Sequence, residues 1–272
     1  MMYLILLICA GFIARASAAC SRAMLQEAAA SYLRTQNAGL SVQAFAALAN
    51  NVTYVENDVP MDINKGVLAQ AVVVDFNRSL LDTTECATFT EITSATSKHP
   101  YVIHTRMLFA PDQKITTIQS VVADAGDWAF NATGHLYWTQ KETWTPIPHS
   151  ARDTRAVIKA AGDAYLDSWG DSKVKVPYGT PCARLEGGAY TGGSKPMANT
   201  CTMGAFPEPL KIGRRRYVID EELGAVDIFN DFPFIDTTRP EGVPSTNLFR
   251  VEGGGIRYIH ENTVCVARNC GR

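Results

Sequence analysis

Leu248-Phe249-Arg250-Val251-Glu252, then Gly253-Gly254-Gly255, then Ile256-Arg257-Tyr258-Ile259 reads as a strand, a glycine turn and a returning strand. The same order stands 140 or 141 positions earlier, as Leu108-Phe109, the polar turn Ala110-Pro111-Asp112-Gln113-Lys114, and Ile115-Thr116-Thr117-Ile118. Further out, Asp163-Ala164-Tyr165-Leu166 repeats Ala30-Ser31-Tyr32-Leu33 at an offset of 133. An order of helix first and hairpin last thus recurs with one modest insertion. The period is far too long for a solenoid, whose units run about 20 to 50 residues, and it predicts two copies of one domain.

The 272 residues and 46% apolar content suffice for two ordinary cores. Residues 1–19 read as a secretory signal, with an apolar run from Tyr3 to Ile13 and the small residues Ser17-Ala18-Ala19 before Cys20. The expected domains are 20–123 and 151–272, joined by an aromatic-rich segment, 124–150, that staples the halves together. No later stretch approaches the length of a membrane span, about 18 apolar residues, so stable membrane insertion is not expected. With 25 basic and 27 acidic residues the chain carries no charge bias toward nucleic acid. Arg214-Arg215-Arg216 reads as a charged strand start.

Without the signal, six cysteines remain: Cys20, Cys86, Cys182, Cys201, Cys265 and Cys270. An even count in a secreted chain predicts three disulfides in one of 15 pairings. Cys182 with Cys201 is the expected pair, because they bracket a Gly-rich loop; a catalytic thiol is the rival reading, disfavoured in an oxidising compartment. Asn51, Asn77 and Asn131 head N-x-Ser/Thr sequons and are candidate glycan acceptors.

Hydrophobic spacing predicts helices over Ser21–Asn37, Val42–Ala49 and Ala151–Trp169. Strands are expected at Val52–Glu56, Ala87–Thr93, Tyr101–Phe109 and Ile115–Val122, then at Lys211–Asp220, Ala225–Phe229, Leu248–Glu252 and Ile256–Val264. Gly66–Leu81 fits helix or strand equally, Val174–Gly204 reads as loop around one short strand, and Asp127 is a candidate helix cap before Trp128. Helices followed by a run of strands is the α+β pattern, here two curved antiparallel sheets, each wrapped around two or three helices and leaving a conical hollow.

Several stretches carry a family resemblance: Glu56-Asn57-Asp58-Val59-Pro60, Asp82 through Glu91, Asp124-Ala125-Gly126-Asp127-Trp128, Thr180 through Gly188, Phe249-Arg250-Val251-Glu252 and Arg257-Tyr258-Ile259-His260. With these the chain resembles a secreted fungal family of unknown function built from tandem SnoaL-like, or nuclear-transport-factor-2-like, cones. The resemblance implies the fold and secretion and brings no assigned catalytic residues. It also implies histidine where this chain has Phe76 and Asn247. SnoaL-like cones serve as isomerases, cyclases, dehydratases and binding modules, so the fold leaves the function open.

Acid/base chemistry needs ionisable groups facing an apolar pocket. In the second copy, strand alternation puts His260 with Tyr258, Asp227 with Phe229, and Arg184 with Glu186. Arg184, Glu186, Asp227 and His260 are therefore the candidate catalytic set, expected to converge on one cavity, with Tyr258 and Phe229 as candidate substrate contacts. The competing expectation is that Arg184 and Glu186 only satisfy buried polar neighbours. In the first copy Glu56, Asp58 and His104 are the candidate binding residues. The five histidines, His99, His104, His135, His149 and His260, never fall at metal-ligand spacing, and no dinucleotide fingerprint appears, so neither metal nor cofactor is expected. Two functions stand: a cofactor-free isomerase, cyclase or (de)hydratase acting on a small apolar metabolite, or a non-catalytic secreted binding protein. The repeat also fits a monomer built as a pseudo-dimer.

Overall fold

The computed structural model describes residues 20–39, 45, 47–204, 209–233, 235–236, 238–267 and 269–270. The signal-type segment and half of Val42–Ala49 lie outside these residues.

Helix α1, Arg22–Ala38, starts where the Ser21 side chain accepts from the Met24 amide, and ends at Gly39 in the left-handed conformation. Strands β1 (Leu48–Glu56), β2 (Val59–Pro60), β3 (Phe76–Asp82), β4 (Ala87–Ser94), β5 (Tyr101–Phe109) and β6 (Ile115–Ala123) follow. Helix α2, Ala132–Thr139, lies in the connecting segment. The second run comprises α3 (Arg155–Asp167), β7 (Tyr178–Glu186), β8 (Ala189–Tyr190), β9 (Gly213–Asp220), β10 (Ala225–Phe232), β11 (Val243–Glu252) and β12 (Gly255–Thr263).

The two sheets have one topology. The first runs β2-β1-β6-β5-β4-β3 and the second β8-β7-β12-β11-β10-β9. The fold is α+β with two successive sheet-and-helix units, as the repeat predicts. Each sheet is mixed, where all-antiparallel pairing is expected from sequence: β1 runs parallel to β6, and β7 parallel to β12. The last hairpin closes through Gly253 and Gly254, with φ of 57° and 76°. Two successive left-handed residues make the turn whose twist matches the flanking strands.

Local expectations fail in three places, and the open reading of Gly66–Leu81 is resolved. Leu48 and Ala49 are strand, because Leu48 pairs with Ile115 of β6. Gly66–Leu81 divides into a 3-10 turn at Val67–Ala69 and β3. The Val174–Gly204 region carries the nine-residue β7 as well as β8. Asn131, not Asp127, caps α2, its side chain accepting from the Gly134 amide; Asp127 instead accepts from the Cys265 and Asp124 amides.

One face of each sheet covers its own helix. Leu25, Ala28, Ala29 and Tyr32 of α1 pack with Ile92, Ile103, Met107 and Ile118; Ile158, Ala161, Tyr165 and Leu166 of α3 pack with Ile228, Phe249, Ile256 and Ile259. The opposite faces meet each other through Leu80, Phe89 and Val121 from one sheet and Val218, Phe229 and Leu248 from the other. Strands β4 and β10 are consequently buried along their whole length.

Reciprocal clamps hold the sheets together. Arg155 of α3 donates both guanidinium nitrogens to Asp82 at 2.7 and 2.8 Å, and Asp82 also accepts from the Ile219 amide and from its own turn, Thr84 and Glu85. Arg22 of α1 does the same to Asp220 at 2.9 and 3.0 Å, and Asp220 accepts from the Leu81 amide and from its own turn, Glu222 and Leu223. Both carboxylates are fully buried.

The disulfides are Cys20–Cys86, Cys182–Cys201 and Cys265–Cys270. The expected Cys182–Cys201 pair is among them. Such bonds fit an oxidising environment. No described helix is long and apolar enough to cross a membrane. Asn51, Asn77 and Asn131 are all exposed.

Candidate functional site

Strand alternation sends Phe89 and Glu91 of β4, His104 and Arg106 of β5, Asp227 and Phe229 of β10, and Tyr258 and His260 of β12 into the layer between the sheets. Helix α2 adds His135 from the side. At one part of this layer Glu91 gathers three imidazoles. Its Oε1 lies 2.7 Å from His260 Nδ1, 3.5 Å from His104 Nε2 and 3.6 Å from His135 Nε2. Glu91 and all three histidines have no solvent exposure.

The other polar atoms of this centre are held. His260 Nε2 is 2.7 Å from Glu142 Oε2, His135 Nδ1 is 2.8 Å from Thr93 Oγ1, and His104 Nδ1 bonds Thr246 Oγ1. Arg78 donates to Glu91 Oε2 at 2.7 Å, and its guanidinium stacks 3.9 Å over Trp144, whose indole donates to Glu142. Three atoms differ: His104 Nε2, His135 Nε2 and Glu142 Oε1 are buried without a hydrogen-bond partner. Each such atom costs about 1–3 kcal/mol unless something fills the gap.

Burial alone lowers the His260 imidazole, but the Glu142 and Glu91 carboxylates on its two nitrogens reverse this and hold it up at about 9. Burial works against the Glu91 carboxylate too, and the charges of His260 and Arg78 still hold it well below the usual range. For His135 burial outweighs the Glu91 charge and, with the neighbouring His260, pushes the imidazole down to about 3. His104 is lowered, again chiefly by burial.

The four candidate catalytic residues do not meet. His260 belongs to the centre above. Arg184 and Glu186 pair at 2.6 Å on the β7 face that turns toward α3. There burial and the Glu186 carboxylate push Glu261 up to about 8. Asp227 is fully buried between the sheets with neither carboxyl oxygen hydrogen-bonded. Burial, then the charge of Glu91, raise it well above the ordinary range against the pull of Arg106 and Arg216.

The candidate binding residues also separate. Tyr258 stacks on Trp144, and Phe229 meets Phe89 edge-on. Glu56 accepts from the Tyr54 hydroxyl and the Val67 amide. Asp58 reaches across to Arg214 and Arg216 at 3.4 and 3.2 Å. Of the first-copy set, only His104 joins the Glu91 centre. Glu91, His135 and Glu142 escape sequence reading, because their partners lie on other elements. The one usable sign is Glu91 itself, a charged residue inside an otherwise uncharged strand run.

A second feature borders the same layer. His104 stacks edge-on with Phe89, Phe89 with Phe229, and Arg216 covers Phe229. Beyond this line an open cleft of about 690 Å³ is lined by Arg106, Arg155, Lys159, Arg215 and Arg216, with the Glu85 carboxylate among them, around Leu108, Phe109, Tyr217 and Ile219. Asp82, Asp163, Asp167 and Asp58 pair with four of these cations. Arg106 instead donates to the neutral Gln119 side chain at 2.8 Å, and its Nε is buried without a partner. Burial and neighbouring Arg216 lower its guanidinium to about 10.

Residues 151–263, which span α3 to β12, match the model of a domain of unknown function (DUF8021). An NTF-2-like protein of unknown function from Burkholderia xenovorans LB400 aligns at 14% identity and a TM-score of 0.30, over 44% of this chain and 94% of its own. AclR from Streptomyces galilaeus aligns at 11% identity and a TM-score of 0.29, over 52% of this chain and 95% of its own. No curated protein matches the chain in sequence.

Proposed function

We propose that this chain is a secreted small-molecule-binding protein, built as a fused pair of cones, whose ligand sits in the cleft around Arg106. The observation that carries the reading is the cleft itself: about 690 Å³, within the ordinary ligand range of about 300–1,000 Å³, with a buried donor, Arg106 Nε, still unmatched. Tyr165, Trp169, Phe232 and Phe249 crowd the interior of the second unit, so the cleft between units is the better ligand site. Its lining modifies the expectation of a purely apolar ligand. Cations around Phe109 and Tyr217 suit an apolar body carrying a carboxylate or similar anionic group.

Acid/base chemistry is the second reading, and Asp227 favours it. A carboxyl whose proton affinity burial raises, beside two guanidiniums, is a candidate general acid. Ligand binding is tested by thermal shift and calorimetry with matched aliphatic and aromatic compounds, with and without a carboxylate. The carboxylates are expected to raise Tm in the wild type and to lose at least tenfold in affinity in Arg106→Gln. Equal behaviour of the charged and neutral compounds, or of wild type and variant, sinks the reading.

A further inference from the structure

The geometry assigns a metal site: we infer that Glu91, His135 and His260 bind a divalent first-row metal ion of the zinc class, with His104, whose Nε2 lies 3.5 Å from Glu91 Oε1, closing in to complete the coordination. The ion would tie both sheets and the connecting helix together. This inference is independent of the cleft.

The donor set comes first. Three imidazole nitrogens and one carboxylate oxygen are the ligands that zinc and its neighbours prefer. All described cysteines are in disulfides, which leaves no thiolate to compete. Ligand atoms of Glu91, His135 and His260 lie within 4.8 Å of one another. In a tetrahedral site with bonds of about 2.0–2.1 Å, neighbouring ligand atoms stand about 3.3 Å apart. The distances from Glu91 Oε1, 2.7, 3.5 and 3.6 Å, bracket that value.

The unmatched atoms point the same way. His104 Nε2 and His135 Nε2 both approach Glu91 Oε1, yet neither forms a hydrogen bond. One carboxylate oxygen already bonded to His260 cannot serve two further imidazoles. A cation among the four gives every nitrogen lone pair a partner. The proton shared by His260 Nδ1 and Glu91 leaves on binding, and His260 keeps its other proton for Glu142.

The supporting groups are those a metal centre needs. Thr246, Thr93 and Glu142 each hold the far nitrogen of one imidazole, and Arg78 holds the far oxygen of Glu91. Such contacts fix ring orientation and tautomer. Full burial and four protein ligands describe a closed site that supports structure, in contrast to the open position of a catalytic one.

The test uses the full chain with its disulfides intact, stripped with a strong chelator and titrated with Zn2+ or Co2+. One ion per chain is expected, with intense visible absorption from four-coordinate Co2+ and a rise in Tm that saturates at one equivalent. His135→Ala should weaken binding at least 100-fold, and Thr93→Val, which leaves every ligand in place, about 10- to 100-fold. His99→Ala, which removes an exposed histidine, should keep the full stoichiometry. Failure of the folded wild type to bind one equivalent of either ion overturns the assignment, whether or not the variants fold. Unchanged affinity in folded His135→Ala overturns it equally.

Discussion

Asp82 and Asp220 make the same bonds from opposite halves of the chain: a bidentate arginine from the other half's first helix, one amide of the other half's edge strand, and two amides of their own turns. The equivalence has a measurable consequence. Asp82→Ala and Asp220→Ala each strip a buried acceptor from three amides and one guanidinium, at a cost of about 3–5 kcal/mol. Urea unfolding should show the two losses matching within about 1 kcal/mol. A loss confined to one of them would mean that the clamps are not energetically equivalent.

Asp227 should make stability depend on pH. Its folded carboxyl holds a proton above the ordinary range, chiefly because of burial, while the unfolded carboxyl releases it near pH 3.9. The folded state therefore binds more protons between the two values, and stability falls as pH rises through that window, by up to about 1.4 kcal/mol per pH unit. Asp227→Asn should match wild type below pH ~4 and exceed it at pH 7. Denaturant titrations at both pH values check this; equal stabilities at pH 7 would count against a raised Asp227.

The three disulfides should contribute in order of loop length. Their sequence separations are 66, 19 and 5 residues. Chain entropy then gives about 4, 3 and 2 kcal/mol for Cys20–Cys86, Cys182–Cys201 and Cys265–Cys270. Paired Cys→Ser variants compared by Tm should rank in that order.

The final hairpin turn demands glycine. Gly253→Ala and Gly254→Ala place a Cβ on left-handed backbone and should each cost about 1–2 kcal/mol. No heavy atom lies within 4 Å of a Cβ at Gly253, so the loss there isolates backbone strain from crowding. An unchanged Tm in Gly253→Ala would argue against the turn geometry.

Much of the frame was legible because it is written in local pattern. The strand Tyr101–Phe109 falls on the expected residues, α1 is displaced by one, and the tyrosines of the two helix repeats, Tyr32 and Tyr165, are both buried. On α3 it is Ile158 that turns inward, while Val157 is 40% exposed. The parallel partner of β1 was not legible, because Leu48 meets Ile115 only after the whole unit has folded. The Glu91 centre was hidden for the same reason, since 169 residues separate Glu91 from His260. The candidate catalytic set failed to converge because alternation within a strand fixes a face and leaves open which neighbour that face meets. Arg184 faces its own helix, while His260 faces the other sheet.

The reciprocal clamps carry one more implication. Two identical subunits joined about a twofold axis would display every feature of their contact twice, so no feature could change in one place alone. Covalent fusion removes that constraint and fixes the local concentration of each half for the other. The chain has used the freedom. Ala87 pairs with Asp82 as Ala225 pairs with Asp220, which makes Phe229 the counterpart of Glu91 and Thr246 the counterpart of His104. Phe229 packs between Phe89 and Arg216 where Glu91 collects histidines. One contact surface thus carries a histidine cluster at one position and an aromatic contact at its mirror position, an asymmetry open to a fused gene and closed to a homodimer.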